Sequence, residues 1–76
     1  MNIELTKAFG SMVRERRTEL KLSQEELAHQ AGLHRTYIGM IERGEKNITL
    51  ENIDKISSAL QLSISELFIQ LEKLKL

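Results

Sequence analysis

The chain has 76 residues, of which 41% are hydrophobic, and its 11 basic and 11 acidic side chains cancel to a formal net charge of zero. This length allows one domain, and the absence of cysteine excludes disulfides and thiolate metal sites. No apolar run approaches the roughly 18 residues that a membrane span needs. With no proline and many leucine, isoleucine, glutamate and lysine residues, the sequence predicts a small α-helical domain. Because it shows neither a signal-peptide pattern nor a membrane span, we expect the protein in the cytoplasm, without a membrane partner.

Apolar residues recur at the 3.6-residue period of a helix and predict five helices. The first runs over about Leu5–Leu20. Its inward side holds Phe9, Met12, Val13 and Leu20. The second helix starts after Ser23, because Ser23 and Glu26 have the spacing of a capping box. It ends at Ala31, because Gly32 is suited to a left-handed stop.

The C-terminal half of the chain continues this helical pattern. The third helix spans about His34–Arg43, and Gly44 lies just past its end. Thr49 caps the fourth helix. The apolar side of this fourth helix holds Leu50, Ile53, Ile56 and Leu60. Ser63 and Glu66 repeat the capping box and begin a fifth helix that reaches the C-terminus.

The segment Leu22–Gly44 predicts a short capped helix, a glycine turn and a second short helix, which is the helix-turn-helix arrangement. A helix of this kind fits the major groove of B-DNA. On a helical wheel Ile38 and Ile41 set the inward side of the third helix. The outward positions are Thr36, Gly39, Met40 and Arg43, with Arg35 near the N-terminal end and Tyr37 on the flank. The alternative is a pair of packed helices with an ordinary solvated face.

Glu42 falls on the inward side of the third helix, beside Ile38. An unpaired carboxylate is costly to desolvate there, so Glu42 needs a cation. Arg16 and Arg17, near the apolar side of the first helix, are the candidates. An ion pair between the two helices would lock the orientation of the third helix. In the alternative, the Glu42 side chain reaches water.

The fifth helix is too apolar for a helix with one buried side. Ile64, Leu67, Leu71 and Leu74 form one stripe, Phe68 flanks it, and Ile69 and Leu76 point the opposite way. We therefore predict a homodimer. Its interface is predicted at Leu67, Phe68, Leu71 and Leu74, with a contribution from Leu60 or Leu62. The alternative is a frayed, apolar terminus.

Nothing in the sequence indicates an enzyme. There is no cysteine nucleophile, no phosphate-binding glycine loop and no evident acid–base pair, so we expect no catalytic residue and no cofactor. The two histidines, His29 and His34, do not suggest a metal site. A competing hypothesis is a protein-interaction module, such as an antitoxin-like or phage-repressor-like protein whose fifth helix binds a protein partner.

The stretch Val13–Phe68 resembles the Cro/repressor helix-turn-helix of the XRE class. The resemblance rests on R-x-x-R-x-x-x-x-L-S-Q-E-x-L-A, then G-L, Y-I-x-x-I-E-R-G, L-x-x-I-x-K-I-x-x-A-L and S-x-x-E-L-F. It implies an all-α, compact five-helix, lambda-repressor-like DNA-binding domain over residues 1–76, with the C-terminal helix (about 64–75) serving dimerisation. The segment HRTYIGMIERGEKNITL is most similar to the controller proteins of restriction-modification systems, which are small homodimeric regulators.

The resemblance also implies a role for particular residues. The base-reading positions are Arg35, Thr36, Tyr37 and Met40. The phosphate-binding positions are Gln24, His34, Arg43, Lys46 and Asn47. The structural ion pair is Arg17 with Glu42. His34 departs from the residues usual at its position, and it either caps the third helix or touches phosphate.

The expected function is therefore sequence-specific binding of double-stranded DNA by a homodimer that activates or represses transcription at a pseudo-palindromic operator. RNA polymerase is a further candidate partner. Acidic residues of the second and fourth helices offer a contact for it, although solvated helix faces look the same: Glu25, Glu26, Glu51 and Asp54. The zero net charge limits phosphate attraction, so we expect weak non-specific binding, with specificity drawn from positioned contacts.

Overall fold

The computed structural model describes residues 3–75, so the prediction for the side chain of Leu76 lies outside the described residues. In this part of the chain five helices and no strand are present. They are α1 (Ile3–Glu19), α2 (Gln24–Ala31), α3 (Arg35–Glu42), α4 (Leu50–Ala59) and α5 (Ile64–Lys75). The predicted all-α fold of five helices is confirmed. None of these helices has the length and apolar character needed to cross a bilayer.

The helix ends follow from local side-chain chemistry. At the start of α2 the Ser23 hydroxyl accepts from Glu26 N at 3.0 Å, and Glu26 Oε1 accepts from Ser23 N at 2.8 Å. The same reciprocal pair joins Ser63 and Glu66 at the start of α5. These side chains satisfy backbone N–H groups that have no partner within the helix. Gly32 ends α2 with a φ of 70°.

The core is formed by one side of every helix. Its fully buried members include Val13 of α1, Leu27 of α2, Ile38 of α3, Ile56 of α4 and Leu67 of α5. The α1 helix packs against both α3 and α5, and α4 packs against α2 and α5. This arrangement leaves the outward side of α3 uncovered.

The predicted dimer interface needs a correction on α5. Leu67 is 0% exposed and Leu71 is 6% exposed, because both pack into the core of the single chain. Leu60, the C-cap residue of α4, is also fully buried. Leu60 and Leu67 have no surface left for a second subunit, and Leu71 has little. Phe68 is half-buried and Leu74 is exposed, so only these two of the four predicted interface residues remain accessible.

The apolar side of α4 is narrower than the sequence indicated. Leu50 was placed there with Ile56, yet Leu50 is 71% exposed. It lies six residues before Ile56, which is about 120° around the helix axis. The first turn of α4 therefore directs Leu50 to the surface, whereas Ile53 is partly buried against the core.

Candidate nucleic-acid interface

The α3 helix is fixed to the core by its inward side. Ile38 is 0% exposed and Ile41 is 1% exposed. At its N-terminus His34 Nδ1 accepts a hydrogen bond from Thr36 N at 3.1 Å, so His34 is the N-cap. Of the two roles that the sequence left open for His34, capping is the one seen in the structure. The helix is followed by Gly44, whose φ of 75° favours glycine.

A buried ion pair ties α3 to α1. Arg17 Nε lies 2.7 Å from Glu42 Oε2, and Arg17 Nη2 donates to Glu42 Oε1 at 3.0 Å. The Glu42 side chain is only 3% exposed. The hydrogen bond to Glu42 raises the pKa of Arg17 above its ordinary value. Between the two candidate cations the structure selects Arg17, since Arg16 Nε donates instead to the Leu60 carbonyl at 3.0 Å.

The α2 helix joins the same network. Gln24 Nε2 donates to Glu42 Oε1 at 3.0 Å, and Arg17 Nη1 donates to the Leu22 carbonyl at 2.8 Å. The carboxylate of Glu42 thus receives donors from α1 and α2 together. Because every donor is directional, the network fixes how far α3 protrudes and at what angle it lies against α2.

The backbones of α1 and α3 also touch, at Gly10. A Cβ added to Gly10 would lie 2.7 Å from the Glu42 carbonyl oxygen and closer still to the Ile41 carbonyl oxygen. Only a glycine allows this approach. Gly10 is not among the predicted residues, although a glycine inside a helix costs about 1 kcal/mol relative to alanine and so points to a packing reason.

The outward side of α3 carries most of the predicted base-reading residues. Arg35 and Thr36 are exposed, and Met40 is half-buried. Gly39, which the wheel placed outward, is buried. The side chains of Arg43 and Gln24 cover its outward side. A Cβ added to Gly39 would lie 3.2 Å from Arg43 Nη1 and 3.5 Å from Gln24 Oε1.

Tyr37 lies at the edge of this surface. Its ring is half-buried against the core, and its hydroxyl accepts a hydrogen bond from Asn52 Nδ2 at 3.1 Å. This contact attaches α3 to α4. Nothing in the sequence marked Asn52, because it lies 15 positions away on a helix whose orientation the sequence does not specify.

The remaining predicted phosphate-binding residues follow α3. Arg43, Lys46 and Asn47 are all exposed in the segment between α3 and α4. Arg43 Nε lies 3.0 Å from Glu45 Oε2. At the other end of α3, Arg35 Nη1 lies 3.3 Å from Glu25 Oε2 of α2. Both exposed arginines of this surface are therefore paired with a carboxylate.

Several known proteins are similar to this chain in sequence or in fold. Residues 13–67 match the helix-turn-helix family. The control protein C.BamHI of Bacillus amyloliquefaciens is 50% identical over 60 residues, which are 78% of this chain and 74% of that protein. The crystal structure of the restriction-modification controller protein C.AhdI from Aeromonas hydrophila has a TM-score of 0.80 and 48% identity, and the match covers 83% of this chain and 96% of that one.

A third similar structure is the controller protein C.Esp1396I, a tetramer in complex with its natural 35-base-pair operator. Its TM-score is 0.88 at 32% identity, and the match covers 93% of each chain. This chain therefore belongs to the helix-turn-helix family. Within that family its relatives include the controller proteins of restriction-modification systems.

Proposed function

We propose that this protein is a sequence-specific, double-stranded DNA-binding transcriptional regulator of the controller type. It acts as a homodimer on a pseudo-palindromic operator. The observation that carries the proposal is the exposed outward side of α3 on a helix held rigidly by Arg17, Glu42 and Gln24. A rigid mount is what base reading requires, because a contact misplaced by about 1 Å loses its hydrogen-bond geometry.

The N-terminal half of α3 enters the major groove. Arg35 donates to the acceptors of a guanine, Thr36 contacts a base edge or a thymine methyl, and Met40 packs against methyl groups deeper in the groove. Tyr37 reads from the edge. Contacts to phosphate come from Gln24, His34, Arg43, Lys46 and Asn47. These phosphate contacts set the register of the helix, and the base contacts supply the sequence preference.

His34 can serve both of its predicted roles. Its Nδ1 accepts from Thr36 N, so a neutral imidazole carries its proton on Nε2. That Nε2–H is a donor, and it belongs to a residue that is exposed at the N-terminus of α3. The cap and a phosphate contact are therefore compatible in one tautomer.

The homodimer face lies where α4 and α5 meet. A groove of about 260 Å³ beside them is lined mainly by apolar side chains, which include Leu5, Ile53 and Phe68, and Asn47 lies at its edge towards the DNA-binding surface. Exposed Leu50 and Ile64 lie one turn before Ile53 and Phe68 on the same helices. The other accessible interface candidate, Leu74, lies beside charged residues of α1 and α5 instead. The α4–α5 side thus offers the larger apolar area to a second copy.

Regulation requires access to the transcription machinery, so we place the protein in the cytoplasm and RNA polymerase among its partners. Glu51 and Asp54 are exposed on α4, and they offer a polar contact that does not involve the outward side of α3. The operator complex of the similar controller protein C.Esp1396I supports the assignment of DNA as the ligand.

The test is selection from random duplex DNA at about 150 mM salt, where exposed charges are largely screened. We expect enrichment of a two-fold pseudo-palindrome. Against the selected duplex, Arg35→Ala weakens binding by about 1–3 kcal/mol. Arg35→Lys recovers little of this loss, because a lysine lacks the planar two-donor fork. Lys73→Ala, which removes the same charge from α5, leaves the affinity close to that of the wild type.

Two outcomes would contradict the proposal. A folded protein that enriches no sequence does not read DNA, and the apolar surface of α4 and α5 would then point to a protein partner, as in the antitoxin-like hypothesis. Full recovery by Arg35→Lys would show that Arg35 contacts phosphate and not a base. Light scattering on the isolated chain distinguishes the homodimer from a monomer that awaits a different partner.

A further inference from the structure

Glu25 and Arg35 form a contact that bridges the two helices of the helix-turn-helix. Glu25 is the second residue of α2 and Arg35 is the first residue of α3, and Arg35 Nη1 donates to Glu25 Oε2 at 3.3 Å. Their side chains are 73% and 68% exposed. Ion pairs this exposed contribute little to folding stability. The consequence of the contact is therefore the direction of the guanidinium group and not the stability of the fold.

The geometry of arginine allows a second contact at the same time. A guanidinium has five N–H donors in a rigid planar fork. Glu25 is bonded through Nη1, and the bond to Glu25 does not involve Nε or Nη2. Two donors are what the O6 and N7 acceptors of a guanine require in the major groove. Arg35 can thus keep Glu25 on one edge of its fork and present another edge to a base.

We infer that Glu25 is a specificity-determining positioning residue, which holds Arg35 in its base-reading direction and opposes contacts of Arg35 with phosphate. This inference rests on the proposed DNA-binding function. The carboxylate of Glu25 repels phosphate groups. While Arg35 is paired with Glu25, it therefore adds little to the affinity for a duplex of random sequence. On the operator the same arginine is already aimed at its base and loses less side-chain entropy on binding.

The pair at the other end of α3 differs in a way that makes it a control. Arg43 and Glu45 are two positions apart in one segment, and they are joined through Arg43 Nε at 3.0 Å. This pair does not connect two helices, and Arg43 lies just after α3. It reduces the positive charge of the surface without directing a base-reading side chain. Glu25 and Glu45 therefore carry the same charge beside the same surface and differ in the arginine that each holds.

The experiment measures the affinity of the full chain for the selected operator and for a scrambled duplex of equal length and composition, over a series of salt concentrations. With Glu25→Gln we expect the affinity for the scrambled duplex to rise about two- to fivefold, the range of one exposed ion pair. Its salt dependence should steepen by about 0.9, the value for one additional phosphate contact. The operator affinity stays level or falls, so the specificity ratio falls about two- to fivefold.

Glu45→Gln removes an equal charge, and we expect it to strengthen binding to both duplexes by the same factor and to leave the ratio unchanged. Glu25→Gln is also made in an Arg35→Ala background. In that background the loss of the Glu25 carboxylate releases no arginine, so the specificity ratio should not change further. Circular dichroism confirms that each variant is folded before its affinity is compared.

Several results would overturn the inference. If the pair plays no part in recognition, Glu25→Gln has the same ratio of operator affinity to scrambled-duplex affinity as the wild type. An equal drop in ratio with Glu45→Gln, or in the Arg35→Ala background, shows that net charge alone acts. A wild-type protein that binds operator and scrambled duplex equally removes the proposed function together with the inference, whereas the first results leave the function standing.

Discussion

At the scale of single residues, two glycines inside helices meet opposite surroundings. Gly10 faces backbone carbonyls of α3, whereas Gly39 faces only the ends of the Arg43 and Gln24 side chains. Gly10→Ala should destabilise the protein by about 1–3 kcal/mol, because α1 and α3 must separate. Gly39→Ala should be neutral or stabilising by up to about 1 kcal/mol, because flexible side chains move aside and alanine favours helix. Urea denaturation of both variants measures the difference.

Equal stabilities for these two variants would contradict the close contact of α1 and α3. The Gly10 variant should also bind operator less tightly when folded, because a displaced α3 strains the network around Glu42. Gly39→Ala crowds Gln24 and Arg43, so it should weaken DNA binding without destabilising the fold.

The ion pair of Arg17 with Glu42 gives a second prediction at this scale. Arg17→Met leaves a carboxylate that is 3% exposed with Gln24 as its remaining side-chain donor. Breaking such a pair typically costs about 3–5 kcal/mol. Removing both charges with Arg17→Met and Glu42→Leu should destabilise less than Arg17→Met alone. Thermal or urea unfolding checks the order of the two variants.

An exposed pair supplies the comparison for this test. Glu45→Gln disrupts the contact with Arg43, whose side chain is 58% exposed, and should change the free energy of unfolding by less than about 1 kcal/mol. If Arg17→Met were as mild as Glu45→Gln, the Glu42 carboxylate would have to reach water, which was the alternative left open by the sequence.

At the scale of the elements, the two capping boxes make helix stability depend on pH. The hydrogen bonds from Ser23, above all from its backbone N–H, hold the pKa of Glu26 below its ordinary value of 4.5. Those from Ser63 do the same for the pKa of Glu66. In each case the folded carboxyl takes up its proton at a lower pH than the unfolded one. Its stabilising effect is complete above pH 4.5 and is lost as the pH falls through the lowered pKa.

We therefore expect Glu26→Gln with Glu66→Gln to lower the free energy of unfolding near neutral pH, and the difference from the wild type to shrink below pH 4.5. Urea denaturation between pH 7 and 3 measures this difference. Glu72→Gln is the matched control, because Glu72 is an exposed carboxylate in the C-terminal part of α5, away from the helix starts that Glu26 and Glu66 cap. A difference that stays constant with pH would argue against the capping carboxylates.

The helix boundaries were largely predictable because capping is local. Ser23, Glu26 and Gly32 contact backbone groups within four residues of themselves. Neighbouring residues therefore determine the start and the end of α2. The same holds for Thr49 at the start of α4. The third helix is one residue shorter at each end than predicted, because His34 and Arg43 are its cap residues and not its first and last helical residues.

At the scale of the whole molecule, the proposed dimer face can be tested by placing a charge in it. We expect Leu50→Glu and Ile64→Glu to dissociate the homodimer, because each would bury an unpaired carboxylate between two apolar surfaces. The operator affinity should fall with it, since two linked reading helices bind more tightly than one. Sedimentation or light scattering gives the mass, and each variant should remain a folded monomer.

Ile69→Glu is the control for this experiment. Ile69 is 53% exposed on α5 but lies on the side away from Leu67, and it does not line the groove. This variant should remain a dimer. Dissociation by Ile69→Glu, with Leu50→Glu still dimeric, would assign the interface to the opposite side of α5.

The candidate site was predictable as far as one helix determines it. The spacing of Ile38 and Ile41 specifies which residues of α3 can face outward, and the cost of burying Glu42 without a cation predicts an ion pair. The roles in DNA reading stay predictions. The overlay of Gly39 by Gln24 and Arg43 and the hydrogen bond of Tyr37 to Asn52 were not predictable, because they join residues whose distance depends on how separate helices are angled.

By itself, the sequence determined the number of helices, their caps and most of their core residues, because hydrogen bonds within a few residues and a 3.6-residue period decide these properties. Only the tertiary structure decided that Leu67 and Leu71 belong to the core while Leu50 stays exposed, since burial depends on the neighbouring helices. It also placed Glu25 beside Arg35. Contacts between helices depend on packing angles, which are set by the shapes of all the core side chains together.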